Sequence, residues 1–405
     1  MKLKNAALGL ALTLPLAVHA QSSTSVTLYG VVDTAVEYLN NIPEFGTMTV
    51  PDGNGGTRVV PNYANQIGKH SSTHFTNLTA SVPSAWGLRG SENLGDGLSA
   101  VFTLESGFNP GTGASNQGGR LFGRQAFVGL TGDWGQVAFG RQYNMLMRGL
   151  MYADVLGPNA HGMATVDAYL ANARMDNSIT YMGSFNGFRL GAGYARGRDT
   201  VSGANPAATG CGVDYTDQSA CSAWNAMVGY DTANWGVAAA YDVIRGQGDG
   251  TAANPTTNYY GLTSSQEDRR WTLNGYVKFD ALKVGLLYVN RKNEAGMSSY
   301  AGALGDRSDL WTLNASYRVS PAVTIDGAVN YIRYKDADES SKSWYYVARA
   351  TYALSKRTAV YATAAYIANK GYAANSAAGG TAGRGPMAEA GGKQTSVAVG
   401  LRHSF

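Results

Sequence analysis

The feature that most constrains the fold is an alternation of apolar and polar residues that recurs from residue 26 to the end of the chain. In the stretch 271–280, for example, Trp271, Leu273 and Val277 alternate with Thr272 and Asn274. Successive side chains of a β-strand point to opposite faces, so this pattern predicts strands with one apolar face and one polar face. Two architectures fit such strands: a soluble sandwich and a transmembrane barrel.

Aromatic residues favour the barrel. They stand at both ends of several apolar faces: Trp224 and Tyr230, Trp235 and Tyr241, Trp271 and Phe279, Trp311 and Tyr317. Girdles of aromatic side chains border the apolar band of a transmembrane barrel, which is about 25 Å tall. Charged residues make up 15% of the chain, whereas a soluble domain carries about 25%. Lys278, Asp326 and Arg349 lie on the polar faces, where a water-filled lumen would accommodate them.

The connections between strands also alternate in length. Residues 186–187 and 232–234 are short, whereas 198–222, 246–268 and 371–392 are long, polar and rich in Gly, Ser and Ala. Transmembrane barrels have short turns at one end and longer loops at the other. The pattern therefore indicates an antiparallel barrel that crosses a membrane with its strands.

The segmentation predicts sixteen strands and thus an all-β, 16-stranded antiparallel transmembrane barrel. The predicted strands are 26–40, 73–93, 97–109, 120–131, 134–143, 177–185, 188–197, 223–231, 235–245, 269–280, 282–292, 309–319, 322–335, 343–355, 358–369 and 394–405. An even number is typical of single-chain bacterial barrels. The interior of a 16-stranded barrel leaves an aqueous channel, whereas side chains fill the interior of an eight-stranded barrel.

Residues 1–20 have the composition of a cleaved signal peptide. Lys2 and Lys4 precede the mostly apolar stretch 6–18, and small residues at Val18 and Ala20 suit a cleavage site. A short membrane anchor is the alternative, although the stretch is shorter than the roughly 20 apolar residues that a spanning helix needs. We expect residues 21–405 to form one exported barrel in the outer membrane.

The chain contains two cysteines, Cys211 and Cys221, in the polar stretch CGVDYTDQSAC. Oxidising compartments outside the cytoplasm favour disulfides, so we predict a disulfide within this loop. Metal binding is the alternative, but neither a second Cys pair nor clustered His accompanies them.

Enzymatic and nucleic-acid functions are poorly supported. The five His lack metal-binding spacing, and the G-x-S-x-G motif of a hydrolase is missing. The Gly-rich stretch 191–197 lies in an alternating strand with no helix after it. A formal net charge of +4 gives no electrostatic reason to bind nucleic acid. We therefore expect no catalysis, no cofactor and no nucleic-acid partner.

Four stretches resemble the trimeric general porins of Gram-negative bacteria, of the type found in Neisseria, Bordetella and Burkholderia. They are SVTLYGVVDTAVEYLN, WGLRGSENLGDGLSAVFTLESGFNPGTG, RLFGRQAFVGLTGDWGQVAFGRQYN and the ending TSVAVGLRHSF. The resemblance covers essentially the whole predicted mature chain. It implies an outer-membrane channel for passive diffusion of ions and small hydrophilic solutes. A solute-specific channel and a surface adhesion or receptor barrel are the alternatives.

The resemblance also implies partners. A homotrimer is expected, surrounded by outer-membrane lipid and lipopolysaccharide. The terminal Phe405 is expected to be read by the barrel assembly machinery. Val397, Val399 and Leu401 share a strand face with Phe405, so the same residues also suit a strand that closes the barrel.

Residues 145–173 lack strand alternation and form a long connection, which is usually functional in a compact structure. They resemble the third long loop of these porins, which folds into the barrel and constricts it. The acids of this connection, Asp154 and Asp167, are candidates to face the lumen. Arg124 and Arg174 match the arginine cluster that similar porins place on the opposite wall.

Two positions depart from the porin pattern. Ala85 stands where an arginine is common, and Arg148 stands where the loop often has an acid. Relative to the porin pattern, one wall charge is missing and the loop gains a positive group, so the relatives do not by themselves determine the ion selectivity of this chain. Arg89 and Glu105 are further lumen candidates, because their strand positions share the parity of the polar face.

Overall fold

The computed structural model describes residues 24–51, 57–76, 80–167, 170, 173–198, 211–248, 261–296, 305–335, 341–378 and 386–405. The predicted signal peptide, residues 1–20, lies outside these residues. Side chains are described for the same ranges except at Met48, 50–51, 57–64 and Ala164.

The described residues contain seventeen strands in one sheet. They are β1 Ser25–Pro51, β2 Thr57–Phe75, β3 Ala85–Gly95, β4 Leu98–Gly107, β5 Gln125–Gly132, β6 Gly135–Tyr143, β7 Arg174–Phe185, β8 Phe188–Arg196, β9 Ser222–Asp231, β10 Trp235–Arg245, β11 Glu267–Phe279, β12 Leu282–Asn293, β13 Arg307–Arg318, β14 Val323–Lys335, β15 Lys342–Ala353, β16 Thr358–Lys370 and β17 Lys393–Ser404.

The sheet closes into a ring with sixteen positions. From β3 to β17, each strand pairs antiparallel with the next one, and residues 31–39 of β1 pair with β17. On the other side of β1, residues 25–31 pair with β3 and residues 36–51 pair with β2. Strands β2 and β3 thus occupy one position, and the predicted 16-stranded antiparallel barrel is confirmed.

The predicted strand 73–93 is wrong in one respect, because β2 ends at Phe75, β3 begins at Ala85, and the described residues between them, 76 and 80–84, belong to neither strand. The Asp33 carboxylate accepts hydrogen bonds from Ser81 Oγ and Val82 N, each at 2.7 Å, and from Tyr361 Oη at 2.6 Å. The Ser84 hydroxyl oxygen accepts from the Asp33 amide at 2.9 Å. Beside Asp33, hydrogen bonds to side chains therefore replace the backbone hydrogen bonds of the sheet. The segment between β2 and β3 leaves the sheet at this point.

Burial along the strands is inverted relative to a soluble protein. On β11, the apolar Leu273 is 58% exposed, whereas the polar Asn274 is 4% exposed. The same alternation follows the strands on either side. Large apolar side chains that cover an exposed surface mark contact with a non-aqueous partner. The apolar faces point outward and the polar faces point into the lumen.

Aromatic contacts form two bands on the outer surface. One band joins Tyr288 to Trp311 at 4.3 Å and Tyr331 to Trp344 at 4.5 Å, measured between ring centroids. Near the opposite strand ends, Tyr230 contacts Phe188 at 4.7 Å. Amphipathic rings in two bands are the girdles that the sequence predicts.

Short turns join the strands at one end. Between β7 and β8, Phe185 pairs directly with Phe188, so the turn consists of Asn186 and Gly187. Both have positive φ, 48° and 89°. A two-residue hairpin turn of this kind requires positive φ twice, which explains the Asn-Gly sequence.

The helical segments of the described residues are short: α1 Asn116–Gly119, α2 Met145–Leu150 and a 3₁₀ turn at Met163–Thr165. None of the helices described here has the length and apolar character needed to span a membrane. Helix α2 contacts β8, β9, β10 and β11. Its buried side chains, among them Met145, Leu146 and Leu150, belong to an apolar core with Ala240 and Leu287 of the inner wall.

The predicted disulfide is confirmed, with the Cα atoms of Cys211 and Cys221 5.4 Å apart. The Cys221 carbonyl accepts a hydrogen bond from Gly197 N and the Cys211 carbonyl accepts one from Arg198 N, both at 3.0 Å. The bonded loop is thereby joined to the end of β8.

We expect the disulfide end to face the cell exterior and the short turns to face the periplasm. A Tyr215→Cys variant places a thiol beside the disulfide, where the native side chain is 93% exposed. It should react with a membrane-impermeant maleimide on intact cells. Lys356→Cys, in the exposed turn between β15 and β16, should react only after the outer membrane is opened. The reverse labelling pattern would contradict this orientation.

Candidate functional site

The connection between β6 and β7, residues 145–173, is held to the inner wall from its first residues. Asn144 caps α2 by accepting a hydrogen bond from Met147 N at 2.9 Å, and its amide nitrogen donates to Asp242 Oδ1 at 2.8 Å. Asn225 Oδ1 accepts from Met145 N at 3.0 Å. Because Asn225 and Asp242 are inward polar residues of β9 and β10, the chain turns onto the lumen side of those strands.

The β6–β7 connection then runs past the next strands. Lys283 of β12 donates to the Tyr152 carbonyl at 2.5 Å, and Val155 N donates to Asn314 of β13 at 3.4 Å. The Ala153 carbonyl lies so close to Gly285 that a Cβ at Gly285 would collide with it. The backbone of the connection therefore contacts the wall directly.

Farther along, the connection reaches the seam where β1 meets β17. His161 Nε2 lies 2.8 Å from Glu37 Oε1 and 2.8 Å from Ser396 Oγ. Ser396 also donates to Glu37 at 2.5 Å, and His74 lies 3.3 Å from the second Glu37 oxygen. His161 and Glu37 are each 2% exposed. A buried polar cluster thus ties the connection to the closing strands.

This Ser, His and Glu group lacks the geometry of a catalytic triad. In a triad, the acid binds one imidazole nitrogen and the nucleophile binds the other. Here Glu37 and Ser396 share His161 Nε2. The group is suited to fastening the connection, and it offers no relay to activate the serine.

On the part of the wall that includes β4, β6 and β7, one tyrosine joins the two predicted wall arginines. Arg124 Nη2 and Arg174 Nη2 each donate to the Tyr143 hydroxyl oxygen at 2.9 Å. Arg124 Nε also donates to Glu105 Oε1 at 2.6 Å, and Tyr29 donates to the other Glu105 oxygen at 3.0 Å. The chain of contacts links Glu105, Arg124, Tyr143 and Arg174.

A second set of contacts adjoins this chain. Arg120 makes two hydrogen bonds to Asp176, of 3.0 and 2.9 Å, and Arg141 donates to Asp176 Oδ1 at 2.5 Å. Arg141 also donates to the carbonyls of Gly123 and Arg198. We name the combined cluster the arginine wall; its members are Glu105, Arg120, Arg124, Arg141, Tyr143, Arg174 and Asp176.

The described residues give the arginine wall four guanidinium groups and two carboxylates. Among these named members, positive charges exceed negative charges by two. Arg141, Arg174 and both carboxylate residues are buried, so these charges are fixed in the wall by hydrogen bonds. Charges in such a low-dielectric surrounding act over longer distances than charges in bulk water.

The other predicted lumen residues lie at separate places. Arg89 is exposed and lies over the Tyr29 ring at 5.3 Å. Arg148 Nε is 3.5 Å from the Tyr143 carbonyl oxygen. Asp167 pairs with the buried Arg270 of β11 at 3.6 Å.

Asp154 lies on the side of β12 to β15, where Lys283 and Arg349 interact with it electrostatically. Burial raises the pKa of its carboxyl above the ordinary aspartate value, although the amides of Gly157 and Leu156 oppose this shift. The structure therefore brings Glu105, Arg124 and Arg174 together. Asp154 and Asp167 belong to other parts of the lumen, and their opposition to Arg124 and Arg174 stays a prediction.

Several residues of these clusters were not predicted from the sequence: Arg120, Arg141, Tyr143, His161 and Asp176. Asp176 has the same strand parity as Arg174, so alternation could have identified it. Tyr143 is an aromatic residue like those of the girdles, so its residue type does not distinguish it. His161 is a lone histidine and forms no recognisable motif. Neither could be recognised without the fold.

Comparisons with family models, related proteins and solved structures all identify the same family. The family model described as "Gram-negative porin" matches residues 6–372. The chain is 30% identical to an outer membrane porin protein of Bordetella pertussis, over 100% of both chains. It is 28% identical to outer membrane porin protein 32 of Delftia acidovorans, over 95% of both. Among solved structures, an anion-selective porin from Comamonas acidovorans matches with a TM-score of 0.66 and 26% identity, covering 94% of this chain and 100% of that one.

The contact between His161 and Glu37 generates a test of how the connection is held. His161→Ala should lower the free energy of unfolding by roughly 3 kcal/mol, because it leaves a buried carboxylate without one of its partners. His161→Gln should lose less, since an amide nitrogen can replace Nε2. Denaturant unfolding in detergent, followed by tryptophan fluorescence, measures both changes.

His403→Ala is the matched control, because His403 contacts Thr358 at an exposed position. It should leave stability near the wild-type value. Equal stability of His161→Ala and wild type would show that the cluster does not hold the connection.

Proposed function

The chain belongs to the Gram-negative porin family, and we propose that this outer-membrane porin admits anions more readily than cations through its water-filled barrel. The relatives are channels, and the proposed transport involves passive diffusion without a catalytic step. The solutes are ions and small hydrophilic molecules. The observation that carries the proposed preference is the excess of two positive charges in the arginine wall.

The electrostatic reason is that fixed charges along a narrow aqueous path bias which ions enter. Low-dielectric walls focus the field of such charges into the water between them. Charged side chains that line a pore set its preference in this way, and basic residues favour anions. Because Arg174 is 2% exposed, its charge acts on passing ions mainly through its electric field rather than by direct contact.

The proposal includes a constriction formed by residues 145–173. Their contacts with Asn225 and Asn314, and with Glu37 at the seam, support a path that crosses the lumen. A segment placed there reduces the open cross-section and brings solutes closer to the arginine wall. Arg148 adds a further positive charge to the connection.

Asp154 opposes this preference while it is ionised. Since burial raises its pKa, we expect it to become neutral at a milder acidity than an exposed aspartate does. Loss of that negative charge should strengthen the preference for anions as the pH falls. The similar porin from Comamonas acidovorans is anion-selective, which agrees with the proposed direction.

We further propose a homotrimer whose contacts include the outward faces of β1 and β17. Val26, Leu28 and Val399 give these faces a highly exposed apolar surface. Outer-membrane lipid and lipopolysaccharide would cover the rest of the barrel. Cleavage of residues 1–20 and recognition of Phe405 by the assembly machinery complete the proposed biogenesis.

The proposed preference is tested with the double variant Arg124→Gln, Arg174→Gln. It removes both excess charges while amide groups remain to bond Glu105 and Tyr143. The reversal potential under a tenfold KCl gradient should shift toward cations, and higher salt should reduce the shift by screening. Asp154→Asn should shift the potential toward anions.

Arg357→Gln is the control, since Arg357 is exposed in the turn before β16 and should not alter the potential. An unchanged potential in the double variant would overturn the role of the arginine wall. Absence of any stable ohmic conductance in the wild type would instead favour a surface adhesion or receptor barrel.

A further inference from the structure

We infer that Lys278 and Lys283, which face each other at the short-turn end of the lumen, form a binding site for a small oxyanion that carries two negative charges. We call these two residues the lysine pair. The inference rests on the proposed water-filled channel, and it uses no residue of the arginine wall. It gives the channel a second place that can hold an anion.

The first observation is the register of the lysine pair. Lys278 of β11 and Lys283 of β12 are direct cross-strand partners beside the turn that joins these strands. Lys278 shares its strand face with the buried Tyr276, and Lys283 shares its face with the buried Leu287. Both side chains therefore belong to the inward faces. Like charges directly opposite each other on a sheet repel, so an anion between the two ammonium groups would relieve this repulsion.

The second observation is a common aromatic ring. Lys278 Nζ lies 5.1 Å from the centroid of the Tyr276 ring, and Lys283 Nζ lies 4.8 Å from the same centroid. Tyr276 Oη donates to Asp231 Oδ1 at 2.8 Å, which fixes the ring in place. The ring quadrupole attracts ammonium groups without neutralising them. Tyr276 thus gathers two positive charges at one place on the wall.

The third observation concerns the nearby carboxylates. Among the residues that the structure describes, none forms an ion pair with the lysine pair. Asp154 and Asp231 act on Lys283 electrostatically, but Asp231 is ion-paired with the buried Arg189. The charges of the lysine pair are therefore available to a mobile anion.

The fourth observation is the set of remaining N–H donors. Lys283 Nζ donates to the Tyr152 carbonyl of the β6–β7 connection at 2.5 Å. An ammonium group has three N–H donors, so two of them remain. The Lys278 side chain is exposed to the lumen. An oxyanion can accept charge-assisted hydrogen bonds from both lysines.

The charge of the anion decides how strongly it is held. The Coulomb energy between an ion and a fixed charge is proportional to the charge of the ion. A doubly charged oxyanion therefore gains more from the lysine pair than a singly charged one of similar size. Arg189 adds a third positive charge nearby, with its guanidinium carbon 3.3 Å from the centroid of the Tyr152 ring.

Sulfate is the probe, because it carries two negative charges and several oxygen acceptors. Its addition to wild-type channels in a planar bilayer with KCl should lower the single-channel current in a saturable way, since a bound sulfate occupies the path of chloride. Potassium nitrate at equal ionic strength should produce no saturable decrease. The readout is the sulfate concentration that gives half of the maximum decrease.

Lys278→Gln and Lys283→Gln should each raise this half-maximum concentration by about tenfold, the cost of one charge-assisted hydrogen bond. Lys278→Arg should keep it near the wild-type value, because the charge and the N–H donors remain. Rescue by arginine separates the charge of the site from a structural role of the lysine side chain.

Lys292→Gln is the matched control. Lys292 lies on β12 like Lys283, but it is exposed on the outward face. The variant removes the same charge and should leave the half-maximum sulfate concentration unchanged. Heat-modifiable gel mobility should be the same for every variant and for wild type, which shows that each barrel is folded.

A wild-type half-maximum concentration in both lysine-to-glutamine variants, or a decrease that never saturates in the wild type, would overturn the inference. If Arg124→Gln, Arg174→Gln abolishes inhibition by sulfate and the lysine variants do not, the proposed anion preference stands and the lysine site fails. If the double arginine variant keeps the wild-type reversal potential while the lysine variants lose inhibition by sulfate, the role of the arginine wall fails and the lysine site stands.

Discussion

Closure of the hydrogen-bonded sheet is the constraint on which the rest of this structure depends. Hydrocarbon offers no partner to a backbone N–H or C=O, so a sheet that crosses it must pair every edge. Here residues 31–39 of β1 pair with β17, and Phe405 exchanges backbone hydrogen bonds of 3.1 and 3.0 Å with Gly30. Closure also fixes the alternation: apolar side chains face outward, and polar side chains line the lumen.

The lumen of the described residues is organised by clusters that span distant parts of the chain. His161 and Glu37 join the β6–β7 connection to the closing seam, and the arginine wall consists of residues from β4, β6, β7 and the segment before β5. Tyr143 stands between the wall and the start of the connection. The connection that we propose to constrict the pore and the arginine wall that we propose to set its charge are therefore adjacent in both sequence and space.

Much of the barrel could be predicted from the sequence, because strand alternation and turn chemistry are local signals. The strands β9 to β17 and the Asn186-Gly187 turn are examples. The separation of β2 from β3 could not be predicted, since Asp33 binds Ser81, which is 48 residues away. His161 likewise meets partners 124 and 235 residues distant. Arg124 and Arg174 were found through resemblance to porins, whereas Tyr143 was indistinguishable from girdle aromatics.

The central claim is that an open barrel with a net positive wall favours anions, and swelling of liposomes tests it most directly. Purified protein in vesicles would be exposed to three solutes of equal size: one neutral, one anionic and one cationic. The account predicts entry of all three, with the anionic solute faster than the cationic one. Faster entry of the cationic solute, or no entry of any, would contradict it.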